Sequence, residues 1–174
     1  NTEFKGLLDR RAIGIVTAEE ISAWKEKGGQ VCYISHHPVI TPEKATTKCR
    51  IVANSSLKNA GNGPTPNQNW PKGPNALKPM YQVFVRFRLY PVAIHFDLSK
   101  MFHSVQTADA DKFKRLMVWK NGERNGQWQI YGWQVVAFGD RPSSCILEIC
   151  KDLTAKAGEH IDPVAARAIS EDTY

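Results

Sequence analysis

At 174 residues and ordinary composition, the chain can bury a core without disulfide staples, which excludes a small disulfide scaffold. Its formal charge of +6 is uneven: +4 over residues 1–72, +4 over 73–150 and −2 over 151–174. Four cysteines without CxxC spacing argue for reduced thiols in an intracellular protein, and no apolar run is long enough to span a bilayer, so no membrane partner is expected. Asn1 to Lys5 lack both a starting Met and a signal peptide's apolar centre, and both ends read as cuts within a longer polypeptide.

Thr17-Ala18-Glu19-Glu20 is a capping box, and Ile21 and Trp24 follow at helical spacing until Gly28-Gly29 ends the helix. Val31 to Ser35 reads as a strand, Val39-Ile40 as an extended piece between Pro38 and Pro42, and Lys48 to Asn54 as a β-branched strand that pairs back on the first. Thr41 to Thr47 would be the hairpin tip. Residues 55–75, rich in Asn, Gly and Pro, read as loop.

Leu77, Met80, Tyr81, Phe84, Phe87 and Arg88 recur at helical spacing, with Pro79 in the first turn. Val92 to Asp97 reads as a short apolar strand. Asp109 to Leu116 reads as a helix with acids first and bases last, as the helix dipole favours. Met117 to Lys120 and Trp128 to Trp133 flank Asn121-Gly122 and Asn125-Gly126, a hairpin signal. Pro142 opens a helix closing near Gly158, and Pro163 to Ser170 forms the last one. Strands and helices mix without regular βαβ alternation, which predicts an α+β fold.

Three segments carry chemistry. Between Lys44 and Phe96 there are eight Lys or Arg and no Asp or Glu, a field suited to a polyanion. Asp97 then ends the apolar strand and Phe102 follows after a bend: a carboxylate for divalent metal, turn amides for phosphate and a flat ring that would exclude a 2′-hydroxyl. An exposed Asp and a core Phe would give the same pattern. In Lys48 to Asn54, alternation places Lys48, Arg50 and Val52 on one face, where two cations can grip a triphosphate, although a plain solvated face would look alike. Val135 to Ser144 is a strand, a Gly turn and a helix start, where Gly139 lets backbone approach a ligand. Cys32, His36 and Cys49 lack the second close pair that a zinc site requires. There is no P-loop and no nucleophile elbow.

The order of His36-His37-Pro38-Val39, Thr46-Thr47-Lys48-Cys49-Arg50-Ile51-Val52, Gly73-Pro74, Val85-Arg86-Phe87-Arg88, Phe96-Asp97-Leu98-Ser99-Lys100-Met101-Phe102, and Phe138-Gly139 with Pro142-Ser143 resembles the reverse transcriptase of long-terminal-repeat retroelements, most closely the BEL/Pao type. The resemblance runs from about Gly28 to the end. It implies an RNA-directed DNA polymerase of right-hand shape, with fingers in 1–72 and 105–142 and palm in 73–104 and 143–174. It implies Asp97 as first catalytic and metal-binding carboxylate, with the Leu98 carbonyl as a metal ligand and two Mg²⁺ ions in the complete enzyme. Lys48, Arg50, Lys100, Met101, Phe102, Phe138 and Gly139 would bind deoxynucleotide, with Phe102 as steric gate. Lys44, Trp70 and Arg141 would touch nucleic acid. The implied partners are RNA or DNA template-primer, deoxynucleoside triphosphate and the rest of a Pol polyprotein (thumb, connection, RNase H, integrase), in a cytoplasmic retroelement particle.

Asn54 stands where the family usually has Asp, and Asp140-Arg141 where it has Leu. The family's next motif, Tyr-x-Asp-Asp, would begin at Tyr174, so the resemblance implies a fragment inactive alone. The alternative is a nucleic-acid-binding module without catalysis, built on a polymerase fold.

Overall fold

Thr17 Oγ1 accepts the Glu20 amide at 3.2 Å while the Glu20 carboxylate accepts the Thr17 amide at 2.8 Å, so the expected capping box forms. It starts the second helix of a mixed α+β fold with two small antiparallel sheets. The computed structural model describes residues 2–44, 48–58, 63–89, 91–120 and 126–173. In chain order these form α1 (Thr2–Asp9), β1 (Ile13–Ile15), α2 (Ala18–Glu26), β2 (Ser35–Ile40), β3 (Cys49–Asn54) and α3 (Pro66–Asn69). Then come α4 (Met80–Phe87), α5 (Met101–Ser104), a 3₁₀ helix (Asp109–Lys114), β4 (Leu116–Lys120), β5 (Trp128–Trp133), α6 (Ser143–Gly158) and α7 (Pro163–Glu171). No described helix is long and apolar enough to cross a membrane, and all four cysteines are free thiols.

Two compact units arise from this chain, one of residues 1–71 and 102–143, the other of 72–101 and 144–174. In the first, β1, β5 and β4 make an antiparallel sheet in that order, and β2 and β3 make a separate hairpin. The hairpin register sets Val39 against Arg50 and Pro38 against Ile51. Thr41 donates to the Lys48 carbonyl at 2.8 Å, which makes every second residue from Thr41 a bonded position. Pro38 therefore faces away from the ladder, where its missing N–H costs nothing. Phe4, Leu7, Ile13, Ala53, Met117, Trp133 and Val135 are among the residues of the main core. Phe4 stacks on Trp119 at 4.3 Å, tying α1 to β4.

The second unit has α4, α6 and α7, with Val83, Leu147, Ala155 and Ala166 buried and several polar ties between its elements. Lys151 Nζ lies 2.6 Å from Glu148 Oε2, both buried on α6, and donates to the Thr173 carbonyl at 3.5 Å. Arg86 of α4 pairs with Asp172 at 2.5 Å and also donates to the Glu171 carbonyl. Lys78 pairs with Asp152 at 3.5 Å.

Several local expectations change. Val92 to Asp97 is not a strand: residues 92–98 are irregular, and Ile94 is 80 % exposed. A β-capable sequence becomes a strand only when a neighbour takes its backbone hydrogen bonds, and no described segment does so here. The first hairpin strand begins at Ser35; before it only Tyr33 bridges, in parallel, to Leu116. The helix at Asp109 is a 3₁₀ helix ending at Lys114. Within 55–75, Thr65 and Gln68 form a second capping box that starts α3. Both Asn-Gly turns fall wholly or partly on residues 121–125, outside the described residues, as do Thr46, Thr47 and Tyr174.

Candidate functional site

In the first unit, β3 alternates as its sequence requires. Ala53 is buried and Ile51 packs against the core, while Lys48 just before the strand and Arg50 within it are exposed. Gly139 sits against this strand. Its φ is +95°, a conformation open to glycine, and a Cβ there would lie 2.9 Å from the Ala53 carbonyl oxygen. The neighbouring Phe138 ring meets the Phe102 ring at 4.1 Å between centroids and an angle of 35°. His103 approaches Phe138 edge-on at 5.7 Å. Phe102 thus meets Phe138, whose neighbour Gly139 lies against Ala53 of β3, although 36 residues separate the two phenylalanines.

Residues with no role assigned from sequence hold this arrangement. The Asp140 side chain, 2 % exposed, accepts the Ser55 hydroxyl at 2.6 Å and lies 3.6 Å from Arg115 Nη1. Burial pushes the Asp140 carboxyl above its ordinary pKa, while the Ser55 hydroxyl and the Arg115 charge pull it back. Arg115 also donates to the Val135 carbonyl at 3.0 Å. The Asn67 amide donates to the Gly139 carbonyl and to Ser56 Oγ, each at 2.8 Å, and Asn67 Oδ1 accepts the Arg141 amide at 2.8 Å. The sequence signal for this network is the departure at Asp140 itself.

Arg141 is exposed, with its guanidinium 3.4 Å from the Asn67 carbonyl, and Lys44 is exposed. Trp70 is half-buried against the core, and the Arg115 guanidinium lies over its ring at 5.4 Å. With Tyr33, Cys32 and Lys114, Trp70 lines an open pocket of about 470 Å³.

Asp97, Leu98, Lys100 and Met101 belong to the second unit. Asp97 is exposed on the irregular segment, and no described hydrogen bond or ion pair engages it. The Met101 amide donates to the Leu98 carbonyl at 3.3 Å across a bend in which Lys100 has a φ of +56°. Among the described residues no three His, Cys, Asp or Glu side chains gather as metal ligands. The residues present therefore do not fit a two-magnesium centre, because one carboxylate cannot clamp two ions.

No protein-family model matches this chain, and no curated protein matches it.

Proposed function

We propose that this chain is the fingers and part of the palm of an RNA-directed DNA polymerase of the BEL/Pao retroelement type. The observation that carries the reading is the contact of Phe102 with Phe138, next to which Gly139 lies against Ala53 of β3. Phe102 and the adjacent pair Phe138-Gly139 come from two sequence segments, 36 residues apart, that the resemblance assigns to one task. The division at 71/72, 101/102 and 143/144, against 72/73, 104/105 and 142/143 from the resemblance, lends support. In this reading Lys48 and Arg50 present cations to the triphosphate, and Phe102 walls the sugar side of the deoxynucleotide. Gly139 lets its backbone approach the nucleotide. Asp97 stays exposed for ion binding but needs further carboxylates, so two-ion chemistry lies outside what these residues supply.

The test is primer extension on an RNA template by the parent polypeptide, with deoxynucleotides and Mg²⁺. Incorporation is expected, and Asp97→Asn should abolish it; activity that survives removes Asp97 from the mechanism. The second reading is a binding module without catalysis, in which the exposed basic residues Lys48 and Arg50 serve a polyanion and Asp97 has no role. It predicts RNA retention with no incorporation in the same assay.

A further inference from the structure

Asp140 is the least expected residue of the first unit. A carboxylate excluded from water costs free energy unless its charge and lone pairs are matched. Here they are matched from two sides: Ser55, immediately after β3, donates at 2.6 Å, and Arg115, immediately before β4, lies at 3.6 Å. Asp140 directly follows Gly139, so its anchor is one residue from the close approach of the turn to the Ala53 carbonyl. The Asp140 carbonyl also accepts the Ser143 amide at 3.1 Å, and Ser143 Oγ donates to the Ala137 carbonyl at 2.8 Å, which closes the turn on its far side.

We infer that Asp140, held by Ser55 and Arg115, is a positioning residue that fixes the Phe138-Gly139 turn on β3 and so sets the Phe102–Phe138 ring contact. The alternative, a buried ion pair that only adds stability, predicts no local consequence. The geometry favours positioning because two of the turn's side-chain ties, through Asn67 and through Asp140, reach the same place. Asn67 holds the Gly139 carbonyl and the Arg141 amide, Asp140 holds Ser55, and both routes end in residues 53–56 at the close of β3. An apolar residue at 140 could fill the space but could not specify which neighbour the turn meets. The consequence for nucleotide binding rests on the proposed function; the positioning of the turn does not.

The experiment compares the full chain with Asp140→Ala, Asp140→Asn and Ser55→Ala. It reads the Gly139 amide and the Phe102 and Phe138 ring signals by NMR, and affinity for dTTP as the probe. Asp140→Ala should shift those signals and abolish the ring–ring cross-peaks while the β1–β5–β4 sheet signals stay in place, and should weaken dTTP by about tenfold. Asp140→Asn keeps an acceptor for Ser55 and should restore most of both. Should Asp140→Ala fail to fold, Ser55→Ala must still shift the turn alone. An unmoved turn, or equal disturbance throughout the unit, overturns the inference. A turn that shifts in a chain whose wild type binds no dTTP upholds the positioning and counts against the nucleotide reading.

Discussion

The rings of Phe102 and Phe138 lie 4.1 Å apart, and neither is fully buried. A half-exposed aromatic pair is a surface that another flat or cyclic group can meet. Phe102→Ala is expected to cost only about 0.5–1.5 kcal/mol of stability through the lost pair, on top of its packing. Under the proposed polymerase function it should admit ribonucleotides in primer extension. Unchanged sugar discrimination would refute the gate.

Arg50 lies on the outward face of β3 and no described ion pair engages it. Arg50→Ala should change stability by less than about 0.5 kcal/mol, since the side chain leaves no buried partner behind. Under the proposed function its effect should fall on nucleotide: the apparent KM for dNTP rises more than that for template. An equal rise in both would move Arg50 from the triphosphate to the nucleic-acid backbone.

At Gly139 the backbone forbids what the sequence alone would tolerate. Gly139→Ala must hold an L-residue at φ +95° and force its Cβ to 2.9 Å from the Ala53 carbonyl. The expected loss is about 1–3 kcal/mol, read by denaturant unfolding. Gly28, with φ +78° and no atom within 4 Å of where a Cβ would stand, is the control: Gly28→Ala carries the backbone strain without the clash and should lose less.

Glu148 and Lys151 are buried one turn apart on α6. Lys151→Met removes one partner and strands the other charge, with an expected cost of about 3–5 kcal/mol. Replacing both with Leu and Met should recover most of that loss. If the double replacement is as damaging as the single one, then the bond from Lys151 to the Thr173 carbonyl, and not the ion pair, is what matters.

His36 is half-buried, with its ring 5.3 Å from Trp119 and its backbone opposite Ala53. Burial, and secondarily the charge of His37, lower its pKa below the ordinary 6.5. The folded chain therefore resists a proton that the unfolded chain accepts. This contribution to stability is whole above the unfolded value, begins to fail as pH falls through 6.5, and is gone below the folded value. Thermal unfolding at about pH 7.5 and about pH 5.5 should show the loss. His36→Phe keeps a ring against Trp119 and should flatten that part of the pH dependence; an unchanged slope would assign the titration elsewhere.

Local signals read well wherever one short segment decides the outcome. Thr17 and Glu20 cap α2 because both partners lie within one turn, and β4 and β5 pair because they are apolar segments close in sequence. Segment 92–97 reads poorly: its residues favour an extended chain, but a strand needs another strand, and no described segment pairs with it. For Trp70 the sequence shows only a polar loop; that the ring is partly packed on the core, with Arg115, 45 positions away, over it, comes from the tertiary structure.

Composition and spacing alone determined the α+β class, the acid-free basic run and the segments in which chemistry could reside, because charge and local periodicity are properties of neighbouring residues. Tertiary structure alone decided that Phe102 touches Phe138, that Gly139 presses on Ala53 and that Asp140 is buried between Ser55 and Arg115. Each of those contacts depends on desolvation and on distance across the chain, and neither is written in the order of adjacent side chains.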